Sequence, residues 1–181
     1  MKEKEIEILK IDLMKPAYTE ELHRTLKELN PNDSRKIVES MTDNEIFTKV
    51  NNRLFQDSYI ADYIDYLWYI SKPAFWKHVI ISLNVNKGIL WGEDMQYFRK
   101  ICNNKIPNDV LNAVLNFAVN CKSSPIQDLD AIGCVIKGQA DIFGRIAEIN
   151  KYISMLSEDV RDLAKNRIYE MIKCECKYTF Y

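Results

Sequence analysis

SYIADYIDYLWYI, Ser58 to Ile70, carries Tyr59, Tyr63, Tyr66, Tyr69 and Trp68 with only two charges, Asp62 and Asp65. Stepped at about 100° per residue, Tyr59, Tyr63, Tyr66 and Ile70 fall on one stripe, and Ile60, Ile64, Leu67 and Trp68 fall on the adjoining faces. Asp62, Asp65 and Tyr69 occupy the remaining sector. A helix apolar around most of its circumference must be covered on two or three sides. The stretch therefore reads as the central helix of an all-helical protein, with the aspartates at its exposed edge.

The flanking sequence is punctuated in the same way. Thr19 can cap TEELHRTLKELN, whose Leu22, Leu26 and Leu29 line one face. Asn30-Pro31-Asn32-Asp33 breaks the chain before SRKIVESM, and Thr42 to Glu45 offers a capping box for IFTKVNNRLF. Pro73, Pro107 and Pro125 each stand at the start of a further apolar pattern, where a missing N–H costs nothing. Helices are also expected at Asp94–Cys102, at Gln139–Ile153 across Gly144, and at Glu158–Lys173. Ile6, Ile8, Ile11 and Leu13 fit neither the helical nor the strand period, which leaves a strand open over the first fifteen residues.

Only 5 glycines in 181 residues, and few alternating apolar and polar runs, argue against a β-rich fold. The connections are short, as between antiparallel neighbours, and predict an antiparallel helical bundle or a short α-solenoid of about seven to nine helices. One domain, 1–181, suits this length, with residues 1–15 either part of it or a separate N-terminal arm.

EDVRDLAKNRIYEMI, Glu158 to Ile172, resembles the second helix of a HEAT-type or armadillo-type repeat, with Val160-Arg161 followed by Ala164, Ile168 and Met171. PNDVLNAVLNFAV is a poorer echo, with Asp109-Val110 and Ala113 but no arginine. The resemblance covers about thirty residues and implies a HEAT-like or armadillo-like stack of helices. Some viral apoptosis regulators with a Bcl-2-like bundle share the aromatic helix and the lysine-cysteine tail, without an alignable motif.

Composition removes several classes of function. With 25 basic against 26 acidic residues spread along the chain, nothing forms a footprint for phosphate backbones or anionic lipid. Arg99, Lys100 and Lys105 beside Tyr97 and Phe98 are the one basic-aromatic cluster, too little to predict nucleic-acid binding. No apolar run approaches the roughly 20 residues that span a bilayer, and MKEKEIEILKID lacks the pattern of a secretory signal, so neither a membrane nor export is expected and a cytoplasmic location is. The odd number of cysteines, Cys102, Cys121, Cys134, Cys174 and Cys176, fits reduced thiols, the first three buried in helices.

Chemistry-bearing patterns are sparse. His23 and His78 have no metal ligand at helical spacing, and Cys174-Glu175-Cys176 has no second thiol pair to complete a site, so no metal or other cofactor is expected. Gly133, Gly138 and Gly144 follow no strand and cannot form a phosphate loop; they read as close helix crossings or breaks. Glu93-Asp94 and Asp128 with Asp130 sit where helix starts want negative charge. No small-molecule substrate is evident.

The expected function is a non-enzymatic helical protein that binds a protein partner stoichiometrically, as an inhibitor, immunity factor or adaptor does. Proteins of this type rich in Lys, Ile and Asn recur among immunity proteins and among viral or phage proteins. Its expected contact residues are Tyr59, Asp62, Tyr63, Asp65 and Tyr66, since aromatic rings beside carboxylates suit interfaces. The alternative is an enzyme of an unfamiliar helical family that draws carboxylate or tyrosine groups from separate helices.

Overall fold

The computed structural model describes residues 3–14, 20–51, 60–86, 92–121 and 126–173. All regular structure among them is helical, in eleven α-helices and one π-helical turn. The all-α expectation is met. The count exceeds about seven to nine because the chain uses several short helices and because its first segment is helical as well. That segment, α1 (Glu3–Met14), is helix rather than strand throughout its described residues, and it buries Leu13 completely. The chain divides into two compact units, Met1–Val85 and Asn86–Tyr181.

In the first unit α1 packs on α3 (Pro31–Glu39) and α4 (Asp43–Asn51), and α3 packs on α5 (Ile60–Ile70). The remaining helices are α2 (Glu20–Glu28), which buries Leu22 and Leu26, and α6 (Lys72–Asn86). Helix starts follow the side chains that the sequence places there. Asn30 Oδ1 accepts from the amides of Asn32 (3.1 Å) and Asp33 (3.0 Å), with Pro31 in the first turn where it sacrifices no hydrogen bond. The capping box of α4 forms in both directions: the Thr42 amide donates to Glu45 Oε2 (2.6 Å), and the Glu45 amide to Thr42 Oγ1 (3.3 Å). Ser71, between α5 and α6, accepts from the Ala74 amide (3.2 Å) and donates to Glu39 (2.6 Å), which fixes the corner where α6 begins.

The second unit is built from α7 (Gly92–Ile101), α8 (Asn108–Asn120), α9 (Ile126–Lys137), α10 (Ile146–Ser154) and α11 (Glu158–Lys173). Here α9 packs against α7, α8 and α11, and α10 against α8 and α11. Val110, Val114, Leu115 and Phe117 of α8 and Ile132, Val135 and Ile136 of α9 form its interior together with Ala164 and Ile168 of α11.

The helix expected over Gln139–Ile153 does not form. Instead α9 runs on into a π-helical turn, Gly138–Ile142, in which the Phe143 amide reaches back to the Gly138 carbonyl (3.2 Å). Gly144 then takes φ +64°, and α10 starts afresh at Ile146. Positive φ is strained for any residue with a Cβ, so the glycine ends the helix it was expected to lie within. Arg145 fills the break: it is 2% exposed, donates to the Ile106 carbonyl, Gln139 and Asn108, and stands 3.6 Å from Glu148. Gln139, itself buried, accepts from the Ile106 amide and donates to the Asn104 carbonyl (2.8 Å), so the loop before α8 is tied to the π-turn through side chains.

Candidate functional site

The outer face of α5 follows from its helical angles. Around the helix the order Trp68, Ala61, Asp65, Tyr69, Asp62 is a continuous sector, and these five residues are half-buried or exposed, Tyr69 at 78%. On the far side Ile64 and Leu67 have no exposed surface. The expected core face is therefore core where it is described, and Asp62 and Asp65 lie at the edge that was assigned to them.

The tyrosine stripe is placed differently from its expected role. Tyr59 lies outside the described residues, whereas Tyr63 (1% exposed) and Tyr66 (6%) are interior to the first unit. The reason is angular: Tyr63 stands one helical turn from Leu67, about 40° round the helix, so a neighbour that covers one covers the other. Of the five expected contact residues, only Asp62 and Asp65 are described at the surface. The aromatic surface beside them is Tyr69 and Trp68.

Trp68 belongs to a cluster spanning the α5–α6 corner. Its ring meets Phe75 (4.8 Å between centroids) and Trp76 (5.6 Å) edge-on, and Phe75 meets Trp76 in the same way (5.0 Å). Such contacts set the positive edge of one ring against the negative face of the next. Phe75 is sealed, while both tryptophans keep part of their surface, and the Lys72 ammonium lies over the face of Trp68. Helical spacing carries a signal for this group, since Trp68, Lys72 and Trp76 recur every fourth residue. It is weakened by Ser71, where α5 stops and α6 starts.

Behind this surface Tyr63 meets His78, which is 1% exposed. His78 Nδ1 is 2.8 Å from the Ala74 carbonyl, which can only accept, so Nδ1 carries the proton. Nε2 is then a bare acceptor, and the Tyr63 hydroxyl, 2.9 Å away, donates to it. Lys49, itself 7% exposed, sits with its ammonium 4.8 Å from the centre of the Tyr63 ring, and Lys77 donates to the Met41 carbonyl (2.7 Å) while paired with Asp43 (2.9 Å). Burial pushes the His78 pKa down to about 4; the Ala74 carbonyl works the other way, and the two ammonium groups add to the burial. This is a neutral histidine with both nitrogens committed. Nothing in the sequence pairs Tyr63 with His78, because the contact needs the corner at Ser71.

Tyr66 contrasts with it. Its hydroxyl is buried without a hydrogen bond, since the adjacent Ser34 hydroxyl is turned to the Leu26 carbonyl (3.3 Å). Burial raises its pKa, with Ser34 opposing.

The other expectations resolve locally. Cys102, Cys121 and Cys134 are buried, while Cys174 and Cys176 lie outside the described residues. Tyr97 and Phe98, beside Arg99, are interior rings of the second unit. Among the described residues no three His, Cys, Asp or Glu side chains gather as metal ligands, and no helix is long and apolar enough to cross a membrane. Compared with protein-family models, curated proteins and solved structures, the chain finds no match.

Proposed function

We propose that the protein acts by stoichiometric binding to a protein partner, through the outer sector of α5 and the adjoining aromatic corner. The observation that carries this reading is the exposure of Tyr69 (78%) on the same sector as Asp62, Asp65 and the half-buried Trp68. Large rings that keep surface beside carboxylates offer contact area at low entropy cost, and the carboxylates would steer a partner bearing basic side chains. Tyr63 and Tyr66 have a supporting part in this reading, as the packing that holds α5 in place.

An enzyme would need reactive groups converging on a space open to substrate. The Tyr63–His78 pair is closed within its own unit, with each histidine nitrogen already spent, and this favours the binding reading. In the second unit the packing of α10 on α11, with Ala164, Ile168 and Met171 turned inward, supports a HEAT-like helix pair.

The test is affinity capture with the parent chain, then with Tyr69→Ala and Asp62→Lys, each first shown to be folded by circular dichroism. A protein recovered in stoichiometric amount by the parent and lost by both variants would support this surface. A partner retained by both variants would place the contact elsewhere, and recovery of no partner would reopen the enzymatic reading.

A further inference from the structure

The first unit contains both histidines of the chain, and one of them is sealed at its centre. The groups facing His78 are Tyr63 from α5, Lys49 from α4 and, from its own helix, Lys77 and the Ala74 carbonyl. Asp43 of α4 neutralises Lys77 but does not act on the ring, and among the described residues no carboxylate does. A proton on Nε2 would meet three difficulties together. The acceptor would become a donor aimed at the hydroxyl that now donates to it. That hydroxyl would have to turn its own hydrogen away from the ring, and Met41 Sδ, 3.8 Å away, is only a weak acceptor for it. A charge would also form on a ring that is 1% exposed and so cut off from water, with the Lys49 and Lys77 ammonium groups adding to that cost.

We propose that the Tyr63–His78 pair is an acid-sensitive latch: protonation of the ring releases the α5–α6 corner and opens the unit Met1–Val85. The direction follows from where the proton goes. An unfolded histidine takes its proton near pH 6.5, whereas His78 in place takes it only at about 4. Between those values the opened form binds more protons than the closed one. The latch contributes fully above pH 6.5 and loses its contribution as the pH falls toward 4.

The experiment measures amide hydrogen exchange of the full chain from pH 7 to 4.5, corrected for intrinsic rates, for the parent and for His78→Gln. Glutamine can donate to the Ala74 carbonyl and accept from Tyr63 but takes no proton. In the parent, the opening constant of α5 and α6 should approach a tenfold rise per pH unit below 6.5 and reach roughly 60-fold at pH 4.5 relative to pH 7, and in His78→Gln this rise should be absent. Equal slopes in the two proteins would overturn the latch. A second measurement does not depend on the variant folding: the imidazole signal of His78, followed by NMR in the parent chain, should titrate below pH 5, and a midpoint near 6.5 in the closed unit would refute the proposal.

Discussion

Gly138 stands so close to Cys102 that a Cβ added to it would lie 2.8 Å from the Cys102 carbonyl oxygen. Cys102 cannot easily retreat, because its amide is tied to the Phe98 carbonyl (2.9 Å) at the end of α7. Alanine is the better helix former by roughly 1 kcal/mol, so propensity alone predicts that Gly138→Ala stabilises. The clash with backbone should win, for a net loss of about 1–3 kcal/mol. Urea denaturation decides the sign, and a gain in stability would show that the loop before α8 can shift.

Gly144 is the complementary case. A Cβ there meets nothing within 4 Å, yet φ is +64°, so the penalty belongs to the backbone alone. Gly144→Ala is expected to cost about 1–2 kcal/mol and Gly144→Asn less, since asparagine visits this region more readily. Equal melting temperatures for the parent and Gly144→Ala would contradict the assigned backbone.

The two interior tyrosines should respond differently to loss of the hydroxyl. Tyr63→Phe leaves His78 Nε2 buried without a donor and should cost about 1–3 kcal/mol. Tyr66→Phe removes a hydroxyl that makes no hydrogen bond, and should be neutral or slightly stabilising. Thermal melts of both variants at pH 7.5 test this, and the pairing argument fails if Tyr66→Phe proves the more damaging.

Leu67 has no exposed surface, and its truncation to alanine leaves a cavity between packed helices. A loss of about 2–5 kcal/mol is expected, and an unchanged melting temperature would mean that α5 is turned the other way.

What the sequence discloses is what nearest neighbours decide. The Thr42–Glu45 box and the inward row of α11 each lie within one or two turns of a helix, so spacing suffices to find them. Asn30 to Asp33, by contrast, read as a break although Asn30 caps a helix that starts at Pro31, because these residue types suit a turn as well as a helix start. The exposed sector of α5 was legible from spacing too. The role of Tyr63 was not, because tyrosine suits an interior as well as an interface, and only the angle it shares with Leu67 separates the two. The π-turn at Gly138 and the Arg145 network depend on a loop more than thirty residues earlier in the chain, which no local pattern encodes. The division at Val85 is likewise unmarked: α6 runs to Asn86 without a flexible, polar linker before it.

The contiguity of the two units bears on how the chain is made. The helix pairs named above for the first unit, α1 with α3 and α4 and α3 with α5, join segments that are all synthesised before Val85. Translation at about 5–20 residues/s leaves several seconds before the rest of the chain is complete, against the microseconds to milliseconds in which local helical contacts form. The latch histidine can thus be sealed while the ribosome is still adding the second unit, and a nascent chain halted after residue 85 would offer a direct view of that order.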